Sequence, residues 1–269
     1  MTSSEGSTPV TADLHVHTTA SDGTLTLDEV PAAARRVGVD TVAITDHDRV
    51  HPELEAPVTV VDGVRLVRGV ELRVDAGALR VDLLGYGVRD DGALGDELDR
   101  LQRDRVQRAR AIVDCVEDDV GVTLDVDLAA GVGRPHIARA AAQSDAPYDY
   151  QGAFDHLIGS DCPCYRPRQL PTFERGAALL RDACAVVSLA HPFRYREVDR
   201  ALDLARELGA VERYYAYGRP VDTGRIERVV SEAGLLRTGG SDAHDRTLGR
   251  AGLAGEEAET FRSRVVGGA

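Results

Sequence analysis

Histidine and acidic residues recur along this chain in short groups whose spacing suits metal coordination. These groups are His15 with His17, Asp46 with His47, Glu71, His191, and Asp242 with His244. Each group lies at or near the carboxyl end of a segment that is predicted to be a β-strand. Imidazole and carboxylate ligands together suit zinc, manganese or iron, and this many ligands suit more than one ion. We therefore predict a site for two or three divalent cations.

Several divalent cations around one water molecule favour hydrolysis of a phosphoester. The cations lower the pKa of the water, so that a metal-bound hydroxide forms near neutral pH and attacks phosphorus in line. They also stabilise the negative charge that develops on the phosphoryl oxygens and on the leaving alkoxide. This chemistry needs no protein nucleophile, and Asp242 and His244 are the candidate catalytic residues for proton transfer.

The segments that carry these groups have the patterns of strands and helices. Up to His17, apolar residues alternate with polar ones, which predicts a strand with His15 and His17 on one face. Further strands are predicted over 41–44, 64–70, 81–86, 185–190 and 235–238, and a helix over 27–37. Strands that alternate with helices favour a parallel α/β sheet, and polar side chains at the carboxyl ends of such strands converge.

The α/β pattern is interrupted between about residues 93 and 174. A long helix is predicted over 97–116, and short segments punctuated by glycine and proline follow it. We interpret residues 93–174 as a small, mostly helical insertion. Residues 11–92 and 175–269 then form the α/β domain, and residues 1–10 form a disordered tail.

Arginine and histidine residues in and near the insertion are candidates for substrate contacts. Arg134 and His136 stand in a Gly-Arg-Pro-His segment before a predicted helix, which suits phosphate binding, with helix capping as the alternative. Arg194 is a third candidate. Five more arginines lie in the long predicted helix: Arg100, Arg103, Arg105, Arg108 and Arg110. Acidic residues are interleaved with them, so we predict an ion-paired, solvated helix face there rather than a nucleic-acid surface.

The charge composition is acidic and free of lysine. The net charge is −13, and all 32 basic residues are arginine. A uniformly acidic surface stays soluble where salt screens charges strongly, so we hypothesise a halophilic source. The acidity also argues against affinity for duplex nucleic acid, which requires a basic footprint.

Neither a membrane span nor a secretory signal can be recognised in the sequence, so we expect a cytoplasmic protein. The cysteines are Cys115, Cys162, Cys164 and Cys184. Only Cys162 and Cys164 are close in sequence, and a single intervening residue fits zinc-site spacing poorly. We therefore predict that the cysteines are ordinary reduced thiols.

Short motifs from residue 13 to residue 250 together resemble the PHP (polymerase and histidinol phosphatase) superfamily. They are Asp13-Leu14-His15-Val16-His17, Ser21-Asp22-Gly23, Thr45-Asp46-His47-Asp48, Gly69-Val70-Glu71, Gly133-Arg134-Pro135-His136, Ala190-His191-Pro192, Gly240-Ser241-Asp242-Ala243-His244 and Leu248-Gly249-Arg250. The branch that they resemble most contains nucleoside 3′,5′-bisphosphate phosphatases and related 5′→3′ exonucleases. The resemblance implies a distorted (β/α)7 barrel whose mouth the insertion caps. It also implies metal-dependent hydrolysis of a small phosphorylated nucleotide or a short 5′-phosphorylated oligonucleotide.

The resemblance further implies ligands for up to three metals, often manganese, with zinc, iron or magnesium as alternatives. One metal would use His15, His17, Glu71 and Asp242, a second would share Glu71 and use His191, and a third would use Asp22, His47 and His244. Relatives usually carry a histidine ligand of the second metal where this chain has Asp82. Aspartate can still coordinate there, but it favours harder ions.

Several assignments have alternatives. Asp22 lies in a Ser-Asp-Gly turn, so it is either a ligand or a turn former. Asp46 and Asp48 are expected to orient imidazole rings, whereas His51 and His156 are expected to be solvated. The alternative functions are a histidinol phosphate phosphatase and a non-catalytic metal-binding module.

Overall fold

The computed structural model describes residues 9–89 and 92–267, so residues 1–8 of the predicted tail lie outside the described residues. The strands are β1 (Ala12–Val16), β2 (Thr41–Ile44), β3 (Val58–Val61), β4 (Val64–Asp75), β5 (Arg80–Tyr86), β6 (Val186–Leu189), β7 (Ala210–Tyr215) and β8 (Leu236–Gly240). The α-helices are α1 (Val30–Arg36), α2 (Gly92–Val120), α3 (Arg134–Gln143), α4 (Tyr150–Ala153), α5 (Phe173–Ala183), α6 (Val198–Ala205), α7 (Gly224–Ala233) and α8 (Gly255–Gly267). None of the described helices is both long and apolar enough to cross a membrane.

The described strands form a barrel-shaped sheet in the order β1-β2-β4-β5-β6-β7-β8, with β3 paired to β4 beside this path. The chain after β8 returns to β1. There the His17 N–H donates to the Ala243 carbonyl over 3.0 Å, and the Ala243 N–H donates to the His15 carbonyl over 3.3 Å. A Cβ atom at Gly240 would lie 2.3 Å from the His15 nitrogen, so this close approach requires glycine. The structure confirms the predicted distorted seven-stranded α/β barrel.

The sheet is mixed, so the prediction of a parallel sheet was wrong for one strand. β5 is antiparallel to both of its neighbours, β4 and β6, whereas the other neighbours along the barrel are parallel. A tight turn joins β4 to β5, and in it the Ala76 N–H donates to the Leu79 carbonyl over 2.8 Å. So short a connection reverses the chain, because a parallel pair needs a crossover segment. β4 also runs on to Asp75, which places Glu71 inside the strand rather than at its end.

Helix α2 joins the barrel to the region predicted as an insertion. Its first half packs on the barrel through Leu94, Leu98 and Leu101. Its second half packs with α3 and the following segments through Ile112 and Val116. The helix therefore belongs to two hydrophobic cores and extends beyond both ends of the predicted 97–116.

A disulfide bond joins Cys115 on α2 to Cys164, so the prediction of reduced thiols was wrong for this pair. The two residues are 49 positions apart, and the folding of the insertion brings them together. Cys162 and Cys184 are free thiols. The bond links α2 to the loop that runs from Cys164 to Arg168.

Candidate metal centre

Histidine and acidic side chains converge at one end of the barrel. Some of them lie within β-strands, and others lie in the loops that follow β-strands. β1 and the residue after it provide His15 and His17, the following turn provides Asp22, and the loop after β2 provides His47. Glu71 and Asp82 project from within β4 and β5, while His191, Asp242 and His244 follow β6 and β8. The structure therefore brings every predicted metal ligand into one cluster.

Among the described residues, the ligand atoms fall into three groups, and within each group the atoms lie within 4.8 Å of one another. We name them site A (His15, His17 and Asp242), site B (Glu71, Asp82 and His191) and site C (His17, Asp22, His47 and His244). The division differs from the ligand sets implied by the family resemblance in two places, because Glu71 is grouped with site B alone and His17 also belongs to site C. Asp82 takes part in site B although relatives usually have histidine there.

Glu71 lies where the three sites meet. Its Oε1 is 3.5 Å from His15 Nε2 and 3.0 Å from His191 Nε2. Its Oε2 is 3.4 Å from His17 Nε2 and 2.7 Å from His47 Nδ1. Ligands about 2.1 Å from a shared metal are themselves separated by roughly 3–3.5 Å, so most of these distances fit coordination of common ions.

Ligand atoms in the cluster lack hydrogen-bond partners. Buried atoms without a partner include His15 Nε2, His17 Nε2 and Asp22 Oδ1. Buried polar atoms are nearly always hydrogen-bonded, because leaving one unpaired costs free energy. Bound cations would provide the missing partners, so the residues of the cluster fit metal ions.

The charges in the cluster depend on one another. Burial alone would raise the pKa of Glu71, but His47 and His15 lower that pKa well below its ordinary value. For His244 the directions are reversed, because the charged form of an imidazole is the protonated one. Burial alone would lower the pKa of His244, but its contact with Asp22 raises that pKa to about 9. Metal ions bind the unprotonated imidazole, so their affinity falls as the pH falls below this value.

Comparison with known proteins identifies the family of the chain that carries this centre. Residues 13–168 match the model of the PHP domain family. The chain belongs to the PHP domain family. It is 28% identical over 254 residues to the phosphoribosyl 1,2-cyclic phosphate 1,2-diphosphodiesterase of Eggerthella lenta, and this match covers 87% of the chain and 94% of the relative. It is 29% identical over 194 residues to the 3′,5′-nucleoside bisphosphate phosphatase of Chromobacterium violaceum, covering 68% of the chain and 67% of the relative.

The solved structures agree on the fold. A Bifidobacterium adolescentis protein assigned as a metal-dependent phosphoesterase superposes with a TM-score of 0.79 at 23% identity, covering 96% of this chain and 98% of that one. This PHP protein is accordingly a metal-dependent hydrolase of phosphoester bonds, as predicted from the motifs. The alternative of a non-catalytic module is set aside.

Glu212 on β7 supports the metal ligands of this PHP protein, and the sequence pattern did not reveal it. Its side chain is completely buried. Its Oε1 accepts a hydrogen bond from His15 Nδ1 over 3.1 Å, and its Oε2 accepts one from the His191 N–H over 2.6 Å. With Nδ1 as the assigned donor, His15 Nε2 keeps a lone pair for site A. A carboxylate behind a metal-binding imidazole fixes the ring and makes it a better ligand. The one signal in the sequence was an acidic residue directly after the apolar pair Ala210-Val211.

We expect the Glu212→Gln protein to bind Mn²⁺ about 10- to 100-fold more weakly than the wild type. Glutamine keeps the shape but removes the charge that strengthens His15 as a ligand. Calorimetric titration of the metal-free protein with Mn²⁺ measures the effect. Glu207→Gln, an exposed change five residues earlier, is the matched control, and equal affinities for the two variants would contradict the assigned role.

Asp46 stabilises the turn of Asp22 rather than an imidazole ring, so the predicted role was wrong. Its carboxylate accepts hydrogen bonds from the Thr18 N–H and hydroxyl over 2.8 and 2.7 Å, and from the Ser21 hydroxyl over 2.6 Å. These bonds fix the chain between β1 and Asp22. His51 was also predicted wrongly, because it is buried rather than solvated.

Asp48 connects the barrel to the insertion. Its Oδ2 pairs with Arg105 Nη2 over 2.5 Å and with Arg168 Nη2 over 2.6 Å. Its own backbone has a φ of 49°, a left-handed conformation that aspartate tolerates better than most residues. Arg105 is buried by these contacts, so the prediction of a solvated arginine face on this helix was wrong there.

The metal sites open into a cavity of about 420 Å³ beneath the insertion. Arginines contribute much of its lining: Arg73, Arg105, Arg108, Arg134, Arg139, Arg168 and Arg194. The predicted substrate residues Arg134 and Arg194 are thus at the cavity. His136 does not line it, and its Nδ1 accepts a hydrogen bond from the Gly133 N–H over 3.1 Å at the start of α3.

Proposed function

We propose that this PHP protein removes a phosphate from a small nucleotide that carries a second phosphate, such as a nucleoside 3′,5′-bisphosphate. The observation that supports this most directly is a pair of arginines, Arg108 and Arg134. Both line the cavity that holds the metal sites, and neither forms an ion pair with a carboxylate of the described residues. Arg108 Nε donates to the Arg166 carbonyl over 2.6 Å, and Arg134 Nη1 donates to the Ile158 carbonyl over 3.1 Å.

The uncompensated charge of this pair favours an anion. Burial and the neighbouring Arg134, Arg168 and Arg105 lower the pKa of Arg108 to about 10. Arg108 is still protonated at neutral pH, so its charge lies among like charges without a counter-ion. A phosphate group supplies that counter-ion and accepts several charge-assisted hydrogen bonds.

Aromatic rings beside the arginines suit a nucleoside base. Tyr150 and Phe154 line the same cavity. The Arg134 guanidinium lies 5.7 Å from the ring centroid of Phe154 and 5.8 Å from that of Tyr165. Bases stack on such rings without a strict preference for sequence. The volume suits a mononucleotide or the end of a short oligonucleotide, which is why a 5′→3′ exonuclease activity belongs to the same proposal.

The metal ions, of which we propose manganese as the natural one, would activate water and stabilise charge on the phosphoryl group. The side chains of sites A and C hold and orient them. Asp242 Oδ2 accepts hydrogen bonds from the Tyr215 hydroxyl and from Arg194 Nη1 over 2.8 and 3.0 Å, which fixes the carboxylate. His244 has Nδ1 3.1 Å from the Asp242 carbonyl oxygen and Nε2 3.3 Å from Asp22 Oδ1. Asp242 and His244 are both candidates for proton transfer.

Kinetics with matched substrates tests the proposal. We expect the Arg108→Gln and Arg134→Gln proteins to show a KM for adenosine 3′,5′-bisphosphate raised about 10- to 100-fold, because each loses a charged hydrogen-bond donor. The KM for adenosine 3′-monophosphate should change little. Arg110→Gln, an exposed change on the same helix, is the control. A wild-type protein that hydrolyses histidinol phosphate or the monophosphate as efficiently as the bisphosphate would overturn the proposal.

A cyclic phosphodiester of a phosphorylated ribose is a second candidate, because the Eggerthella lenta relative aligns over nearly its whole length. Such a substrate also carries a second phosphate but has no base. Replacing Phe154 by alanine separates the two candidates. It should raise the KM for the nucleoside bisphosphate and leave the KM for the cyclic ribose phosphate unchanged if the ring binds a base.

A further inference from the structure

Asp82 of site B is held by an arginine. Asp82 and Arg73 lie directly opposite each other in the antiparallel pair of β4 and β5. Arg73 Nε donates to Asp82 Oδ1 over 2.7 Å, and Arg73 Nη2 donates to Asp82 Oδ2 over 2.6 Å. Both oxygens of this buried carboxylate are therefore engaged by one planar guanidinium, the strongest pairing that these groups form.

The arginine beside site A is arranged differently. Arg194 contacts Asp242 Oδ2, the oxygen that also accepts the Tyr215 hydrogen bond. Asp242 Oδ1 is turned toward the two imidazoles of site A, 3.5 Å from His15 Nε2 and 3.2 Å from His17 Nε2. Site A therefore keeps one carboxylate oxygen for a cation, whereas the carboxylate of Asp82 has none without an arginine contact.

The buried atoms that lack hydrogen bonds follow the same division. Sites A and C contain His15 Nε2, His17 Nε2 and Asp22 Oδ1, all without partners. In site B, His191 Nε2 is hydrogen-bonded to Glu71 Oε1 over 3.0 Å. The partnerless nitrogen of His191 is Nδ1, and Glu71 Oε2 points away from site B, toward His47 Nδ1 at 2.7 Å and His17 Nε2 at 3.4 Å. Sites A and C have unsatisfied ligand atoms that a cation would complete, whereas the facing atoms of site B are already paired.

Arg73 also brings a permanent positive charge to site B. A guanidinium stays protonated in proteins, so this charge does not depend on pH. A dication on Asp82 would share one carboxylate with this guanidinium, and like charges at such short range repel each other. The charge that a metal would supply is already present.

The side chain of Arg73 is 42% exposed. Arg73 lines the cavity that contains the metal sites. Its Nε and Nη2 donate hydrogen bonds to the carboxylate of Asp82. Nη1 has no hydrogen-bond partner within the described part of the chain, so its two N–H groups are available to a phosphoryl oxygen.

We propose that this enzyme works with two divalent cations, at sites A and C, and that Arg73, oriented by Asp82, takes the place of a third cation and binds a phosphoryl oxygen through Nη1. The inference rests on the metal-dependent hydrolysis in the proposed function and not on the choice of a bisphosphate substrate. At site B, the guanidinium of Arg73 would then provide the positive charge that a metal ion would otherwise provide.

Counting bound metal tests the inference directly. The metal-free full-length protein is titrated with Mn²⁺ alone, and the bound equivalents are measured by calorimetry and by elemental analysis after gel filtration. We expect two equivalents for the wild type and for Arg73→Lys, which keeps the positive charge. We expect three for Arg73→Met, in which Asp82 is free to coordinate. Three equivalents in the wild type would overturn the inference, and that measurement needs no variant to fold.

Turnover of an aryl phosphate ester provides the second readout. With two equivalents of Mn²⁺ bound, Arg73→Met should lose about 10- to 100-fold in kcat, because a preorganised cation at the phosphoryl group is removed. Arg73→Lys should lose less, and Arg80→Met, an exposed change on the same hairpin, should match the wild type. An Arg73→Met protein with wild-type kcat at two equivalents would overturn the inference. Failure of the bisphosphate to be a substrate would leave both readouts intact, so the two proposals fail separately.

Discussion

Replacing Glu71 by glutamine should abolish most of the activity, with a loss in kcat on the order of a thousandfold or more. Glu71 is almost completely buried, and its two oxygens contact the imidazoles of His15, His17, His47 and His191. Glutamine has the same shape, but its NH₂ group would face two of these rings and its neutral side chain could not balance the cations. The change therefore affects all three sites at once.

The Glu71→Gln protein is checked by its kcat at saturating Mn²⁺ and by its metal content. Both should fall, while the melting temperature of the metal-free protein shows whether the fold is kept. Glu174→Gln, an exposed change at the start of α5, serves as the control. Wild-type metal content together with wild-type turnover would refute the position of Glu71 at the junction of the sites.

Asp242→Asn is expected to cause the second largest loss, about 100- to 1000-fold in kcat. The backbone at Asp242 has a φ of 51°, and asparagine tolerates this left-handed conformation as well as aspartate does. The substitution therefore removes the charge beside His15 and His17 without forcing the chain to move. It also takes away a candidate group for proton transfer.

Two measurements separate these effects of Asp242→Asn. Metal content reports the ligand role, and kcat at saturating Mn²⁺ reports the proton-transfer role. Burial by itself raises the pKa of Asp242, but His15 and His17 lower it well below its usual value, so the wild-type carboxylate stays ionised under mildly acidic conditions. Asp203→Asn, an exposed change on α6, is the control. Retention of more than a tenth of the wild-type kcat would argue against both roles.

Local pattern explains which parts of the fold could be predicted. The alternation around His15 and the apolar runs before Asp46 and His191 identified strands, and the structure buries every residue of these strands. β7 was missed because Glu212 and Arg213 interrupt its apolar residues. The reversal of β5 was missed because the preceding strand was predicted to end at residue 70, whereas it runs on to Asp75 and leaves only the short turn Ala76–Leu79 before β5.

The site divides in the same way. The metal ligands were found because clustered histidine and carboxylate residues at strand ends are uncommon, and because both residue types are ordinary metal ligands. The partners that orient them were not found, since Glu212 reaches His15 and Arg105 reaches Asp48 only after distant segments have packed. The disulfide between Cys115 and Cys164 was missed for the same reason. The two cysteines are 49 residues apart, and only the packing of the segments between them brings them together.

The register of the β4–β5 hairpin has a consequence for how this enzyme diverged. Arg73 and Asp82 are cross-strand partners, and each buries or neutralises the charge of the other. Loss of Arg73 alone leaves the buried Asp82 carboxylate unpaired, which is costly, so intermediates with that single substitution are selected against. The two positions should therefore covary among relatives. Chains with histidine at the position of Asp82 should lack arginine at the position of Arg73, and those with the pair should form a lineage of two-metal enzymes.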